Sequence, residues 1–345
     1  MDRTVVHAGG VETACVDFFV ILLGRIAIRP YEGVIISLHL MSFNELITTF
    51  ANNLLPILLV SGSGFILGKF LTVDSRSLGR VVFYVFSPLL VFDLMIKSKL
   101  NLTQALTTVG YTASVIAIMG LIAFLFSKLF RLERPYMLAV ILTVAFGNTG
   151  NYGLPLVKFA FGNDALAVAS IYYVTTTILF NTVGVIIASL GHMDLKSAVL
   201  GIFKLPIMYG VLLAILVKAW GIELPLPLSR TIEIAANGAI PVMLILLGLE
   251  LTRIQWSHNF RALGIGVFAK LLLGPLVALL IASLFGLEHT ARQASVLEAS
   301  MPAAVATTVV ATEYQLEPSL VTAIVFLGTA LSPLTLTPLL VYLAR

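Results

Sequence analysis

The chain has 345 residues, of which 59% are hydrophobic and 11% charged, with a mean hydropathy of +1.03. A soluble domain carries about 25% charge, so this composition excludes one and points to an integral membrane protein built of helices. The net charge of +4 is spread between apolar runs instead of being clustered on one face, which argues against nucleic-acid binding. Cys15 is the single cysteine, so no intrachain disulfide and no cysteine metal site can form.

Residues 1–40 do not read as a clean span, because Arg25 and Arg29 interrupt the apolar run that begins at Val16, and Pro30 and Glu32 follow. Met41 opens a regular pattern and is the expected start of the folded chain, with residues 1–41 an N-terminal extension. A chain of residues 41–345 is expected to insert and transport like the full chain. From Met41 onward the hydropathy predicts ten spans: Leu46–Leu71, Val81–Ile96, Gln104–Ser127, Tyr136–Phe161, Ala165–Ser189, Leu205–Ile222, Thr231–Leu251, Arg261–Leu287, Gln293–Thr312 and Ser319–Ala344. Most approach the roughly 20 apolar residues that a bilayer requires.

Two of these spans are broken. The fourth contains Gly147-Asn148-Thr149-Gly150-Asn151-Tyr152-Gly153-Leu154-Pro155 inside a charge-free run, and the ninth contains Glu298-Ala299-Ser300-Met301-Pro302-Ala303. Lipid cannot satisfy the backbone groups such breaks release, so they survive only inside protein or beside a wet cavity. Paired broken spans in two halves mark the substrate site of a secondary transporter. The halves run in step: Arg76 and Arg230, Pro88 and Pro241, and Gly147 and Pro302 lie 154, 153 and 155 residues apart. Five spans per half is an odd number, so the second half must enter from the opposite face. The expected fold is therefore all-α, ten transmembrane helices in an inverted five-plus-five repeat, with residues 42–190 as the first repeat, 191–204 as a cytoplasmic link and 205–345 as the second. Lys and Arg in the short loops divide ten against seven, with the link on the richer, cytoplasmic side.

The fourth-span run Asn148-Thr149-Gly150-Asn151-Tyr152-Gly153-Leu154-Pro155-Leu156-Val157-Lys158 resembles the motif of the auxin efflux carrier family, whose plant members carry Asn-Thr…Gly-Ile-Pro-Leu-Leu-Lys there. Ser300-Met301-Pro302 and Ala311-Thr312-Glu313-Tyr314 resemble the ninth-span motif and the loop after it. The resemblance covers residues 42–345. It implies a scaffold bundle supporting a crossover where spans four and nine pass each other. It also implies carboxylate substrates, since bacterial members are associated with malate and malonate. Gly147 stands where plant members have the crossover proline, and Ala303 where they have a polar residue, which argues against auxin itself.

The candidate substrate contacts are Asn148, Thr149, Asn151, Pro302, Ala303 and Thr307. Exposed N–H groups at half-helix N-termini carry partial positive charge suited to a carboxylate, and the asparagines can donate beside the break or cap its freed carbonyls instead. Gly147, Gly150, Gly153 and Pro155 shape the crossover backbone. Glu298, Lys270 and Asp93 are candidates for coupling or gating. A carboxyl inside a span costs about 3 kcal/mol on insertion scales, so Glu298 relays protons, gates, or sits hydrated at a mouth. Lys270 snorkels or pairs with an acid. Asp93 has Lys97 at i+4, the spacing of a helix-end ion pair. Thr307 and Thr308 line the half-helix or satisfy its backbone, and Lys158 guides anions or anchors the span.

No nucleotide-binding loop or hydrolytic motif is present, so the chain reads as no enzyme, with no cofactor and no metal. A receptor or channel on a transporter-like core is the alternative to a secondary transporter. The partners expected are a small organic anion, the lipid bilayer, a coupling proton or sodium ion and a second copy of the chain, with no nucleic acid. The expected location is the inner cell membrane, crossed many times.

Overall fold

Proline placement explains much of the helix geometry in the computed structural model, which describes residues 41–189 and 200–345. The N-terminal extension and most of the link between the halves lie outside those residues. Eleven helices follow in order: α1 (Phe43–Phe70), α2 (Ser75–Lys97), α3 (Leu102–Leu129), α4 (Arg134–Ala145), α5 (Thr149–Ala188), α6 (Pro206–Ala219), α7 (Leu226–Leu251), α8 (Phe260–Leu284), α9 (His289–Ala299), α10 (Ala306–Glu313) and α11 (Pro318–Ala344). Four contain wide π-helical turns: Phe50–Leu54 in α1, Val82–Phe86 in α2, Thr149–Gly153 and Phe180–Gly184 in α5, and Ala269–Leu273 in α8. All but Phe180–Gly184 end two residues before a proline: Pro56, Pro88, Pro155 and Pro275. A proline inside a helix donates no N–H and clashes with the carbonyl four residues back. Widening the preceding turn moves that carbonyl aside and keeps the helix continuous. Pro241 lies in α7 without such a turn, so the two prolines matched by interval are not alike in structure.

Seven of the helices are long and apolar enough to cross a membrane, α4 and α6 are shorter apolar helices, and no strand is present among the described residues. The 40-residue α5 is more than one crossing in length, and Gly162 (φ 78°, ψ −165°) interrupts it. That conformation is open to glycine and strained for other residues. Helix starts are set by local hydrogen bonds. Asn101 and Gln104 form a capping box at α3, and Ser42 caps the first turn of α1.

The helices form two bundles. In the first, α1 packs along α7, and α2 packs along α6 and α7. Small residues allow this: a methyl at Gly64 would fall on the Ile245 carbonyl oxygen, one at Gly248 on the Ser61 carbonyl oxygen, and one at Gly210 within 2.5 Å of the Pro88 carbonyl oxygen. Gly64 and Gly68 form the small-xxx-small spacing that lets membrane helices approach closely. In the second bundle, α3 packs on α4 and α5, α9 on α5, and α8 on α4, α9 and α11. The bundles meet where α7 and α2 touch α5, and where α11 touches the start of α1. Arg345 on Glu45 (2.7 Å) ties the ends of α11 and α1 together.

Candidate functional site

The two broken segments are hydrogen-bonded to each other. Gly147 and Ala303 form an isolated antiparallel bridge. Asn148 N–H donates to the Pro302 carbonyl at 2.7 Å, and Ala304 N–H to the Phe146 carbonyl at 3.0 Å. The backbone groups released between α4 and α5 are thus satisfied by those released between α9 and α10. This accounting is what a break at membrane depth demands. Gly147 eases the close approach, since a Cβ there would sit a tight 3.2 Å from both the Met301 carbonyl oxygen and Lys270 Nζ.

A cavity of about 1250 Å³ opens above this bridge, between the two bundles. The first bundle contributes the Ser75–Ser87 stretch of α2 and the end of α7. The second contributes Phe146–Asn151, one face of α5, the start and length of α10, and part of α11. The N-terminal ends of α5 and α10 therefore both face it, presenting N–H groups and the positive ends of their dipoles. Its charged lining residues are Arg76 and Arg80 in the first turns of α2, Glu250 and Glu313 at the ends of α7 and α10, and Arg253 in the α7–α8 connection, so the mouth opens at one end of these helices. Asp74 caps α2 at this mouth, and Arg253 stands 3.9 Å from it. Hydrogen bonds from the Ser77 hydroxyl and the Arg76 N–H hold the Asp74 carboxyl below the usual carboxylate range.

Among the residues marked in the sequence, Gly147, Asn148, Thr149, Gly150 and Asn151 line the cavity. Asn148 is 5% exposed, and its Nδ2 has no hydrogen-bond partner. Gly150 makes room for the Tyr173 ring, whose Cε2 would lie 2.8 Å from a Cβ there. Pro302 and Ala303 form the bridge and do not line the cavity. Thr307 is buried and its hydroxyl donates to the Ala304 carbonyl at 2.6 Å, whereas Thr308 reaches the wall with its hydroxyl spent on the Val305 carbonyl. Both threonines thus satisfy backbone.

Lys270 neither snorkels nor pairs with an acid among the described residues. It is 3% exposed, and its Nζ donates to the Val144 carbonyl at 3.2 Å, in the last turn of α4. A cation at a helix C-terminus complements the carbonyl dipoles there. Asp93 makes the i+4 pair with Lys97 at 2.8 Å, and Glu233 approaches the same ammonium at 3.6 Å. Glu298 is 0% exposed, lies outside the cavity and packs on Gly153, with no hydrogen-bond partner for either oxygen. It is therefore not a hydrated mouth residue in this conformation. Pro155 and Lys158 follow the crossover turn on α5, away from the wall.

Sequence reasoning missed a polar stripe on α5: Tyr173, Thr176, Thr177 and Asn181 all face the cavity. Their i, i+3, i+4, i+8 spacing is one helix face, a signal visible in the sequence. Thr175, Thr177 and Thr182 spend their hydroxyls on carbonyls one turn back, but Thr176 Oγ1, 5% exposed as a residue, has no partner. A buried polar atom without a partner costs about 1–3 kcal/mol, and Asn148 and Thr176 place two such atoms in one cavity wall.

A helical membrane protein with a deep cavity floored by two mutually hydrogen-bonded helix breaks is, in class, a membrane transporter. The chain belongs to the membrane transport protein family, which it matches over residues 49–195 and 192–340, the family that the crossover motifs resembled. It is 29% identical to an uncharacterised transporter of Methanothermobacter thermautotrophicus, over 79% of this chain and 90% of that protein. It is 31% identical to a Rhizobium meliloti protein named "Putative malonate transporter", over 78% of this chain and 86% of that one. The chain is thus a multi-pass membrane protein.

Proposed function

We propose that the chain is a secondary transporter of small organic anions, carboxylates above all, and that the cavity above the Gly147–Ala303 bridge is its substrate site. Asn148 carries the reading: a buried amide with an unused donor, beside two half-helix N-termini, is arranged to meet an anion. The malonate named for one relative fits the same chemistry. In this proposal the helices make ten crossings as two inverted sets of five, with α4 and the start of α5 as one broken span and α9 with α10 as the other. The Gly162 interruption, the paired breaks and the matched intervals support it. The mouth faces the cytoplasm by the Lys/Arg bias of the loops, and movement of the second bundle against the first exposes the site to the other face. Asn148, Thr149, Asn151 and Thr176 are the proposed contacts. Pro302, Ala303 and Thr307 hold the crossover in shape, and Lys270 neutralises the end of α4.

The test is uptake of labelled malonate, malate and acetate by the purified protein in liposomes, with and without pH and sodium gradients. Saturable uptake that an imposed gradient drives is expected. Binding without movement would place the chain among receptors instead, and gradient-insensitive, non-saturating flux among channels. Asn148→Ala should raise the KM for the transported anion by about tenfold to a hundredfold, the loss of one hydrogen bond to a charged group. Its melting temperature without substrate should match the native protein, since the amide nitrogen has no partner to lose. A destabilised variant with unchanged KM would assign Asn148 to backbone capping.

A further inference from the structure

One face of α9 carries buried polar atoms that the cavity does not use. Arg292 Nε, Ser295 Oγ and both carboxylate oxygens of Glu298 have no hydrogen-bond partner. Ser295 and Glu298 are 0% exposed, and no residue of α9 lines the cavity. The three residues are spaced by three, so they are successive neighbours on the helix surface, and each step advances about 4.5 Å along the axis. One water molecule bridges such a step. The file begins near the start of α9, where Arg292 donates to the Tyr342 hydroxyl at 2.7 Å and Gln293 to the Leu343 carbonyl at 2.9 Å, beside the C-terminal end of α11. It ends under the crossover, where Glu298 packs on Gly153. The cavity mouth is at the other end of α11, beside Pro318.

The surroundings are tyrosines. Tyr172 and Tyr173 on α5 lie within electrostatic reach of Glu298, and Tyr111 on α3 lies within reach of Arg292. Tyr111 donates to the Ala278 carbonyl, Tyr173 to Ser87 Oγ, and Tyr152 shares a hydrogen bond with Ser332 Oγ. The part of α8 that packs on α9, Gly274–Leu284, has no titratable side chain, and Lys270 is turned to Val144. Glu298 is therefore the one buried carboxylate of α9, while Glu288, the exposed N-cap, stands one turn before Arg292 at the entrance of the file.

We propose that the Arg292–Ser295–Glu298 file is a proton path, running from the membrane face opposite the cavity mouth to Glu298, which binds one proton beneath the crossover. The proposal rests on the transporter reading and adds the coupling ion and its route. The proton enters by hopping along water bridged between Arg292, Ser295 and Glu298, and no bond other than O–H forms or breaks. Because Glu298 touches the Gly153 turn, whose other end at Thr149 to Asn151 lines the cavity, its protonation changes the packing of the segment that holds substrate. The proton and the anion thus reach the crossover from opposite faces in this conformation.

Two readouts separate this proposal from the transporter reading. The first is malonate-driven proton movement, followed with a trapped pH dye in liposomes, beside malonate exchange at equal pH. Glu298→Gln is expected to abolish proton movement and keep exchange. Ser295→Ala is expected to slow proton movement about tenfold, equivalent to about 1.4 kcal/mol, with exchange intact. The second, independent of transport, is the infrared carbonyl band of a protonated carboxyl in the purified protein, expected to titrate and to be missing in Glu298→Gln. If malonate exchanges but no protons move, or if Ser295→Ala moves protons at the native rate, the path is overturned while the transporter stands. If no carboxylate is transported but the band is present, the transporter reading fails and the proton site survives. Absence of the band overturns the site.

Discussion

Gly248→Ala is expected to unfold the first bundle, although it adds one methyl group. The added carbon falls on the Ser61 carbonyl oxygen, and the reciprocal contact from Gly64 to Ile245 lies one turn away. A side chain in the way can rotate; two backbones locked across a helix crossing cannot. Overpacking typically costs 1–3 kcal/mol, and the upper end, about 3 kcal/mol, is expected here. Gly264→Ala is the control, because nothing lies within 4 Å of its Cβ position. Thermal melting of detergent-purified protein should show a steep fall for Gly248→Ala and none for Gly264→Ala. Coincident melting of the two variants would mean that α1 and α7 do not cross as closely as the structure has them.

Gly153→Ala tests the contact under the crossover. Its Cβ would collide with the Glu298 carboxylate: Oε2 is closest, with Cδ at 2.7 Å and Oε1 at 2.8 Å. The clash should cost about 2 kcal/mol. Here the obstacle is a side chain, so a second substitution can remove it. Glu298→Ala in the Gly153→Ala background should recover stability, giving a coupling energy within the roughly 0.5–3 kcal/mol seen for contacting pairs. Strict additivity of the two losses would show that Gly153 and Glu298 do not touch. Transport by the double variant should stay uncoupled from protons even where folding is restored, because the carboxyl is gone.

The breaks were legible because they violate a physical expectation: glycines, asparagines and proline in charge-free runs long enough to be regular helix. Their mutual pairing was legible only as an implication of family resemblance, since sequence spacing does not say which backbone groups meet. The joint within α5 is written in Gly162-Asn163-Asp164, a turn signal, and the spans predicted on either side of it, Tyr136–Phe161 and Ala165–Ser189, stop short of it. Side-chain direction was the weakest reading. After an irregular segment the helical phase restarts at an unknown angle, so Thr307 and Thr308 could not be told apart, and Thr308 is the one that reaches the wall. In the sequence Lys270 reads as a charge that snorkels to water or pairs with an acid, whereas a carbonyl at the end of a neighbouring half-helix satisfies it. That partner is invisible until the break is placed in space. The α5 stripe of Tyr173, Thr176, Thr177 and Asn181 is different: it is ordinary helical periodicity in the span Ala165–Ser189, where no glycine or proline cluster marks a site.

Cysteine accessibility tests the substrate cavity most directly. Asn151 is half-buried in its wall, and Cys15, the only native cysteine, can be replaced by serine to leave Asn151→Cys as the single thiol. Membrane vesicles of known orientation would be treated with an impermeant maleimide, with and without malonate. Labelling from the face bearing Arg76, Arg80 and Arg253, slowed by malonate in a saturable manner, is the predicted result. Labelling that no carboxylate slows, or that proceeds equally from both faces without substrate, would contradict a one-sided anion site at the crossover.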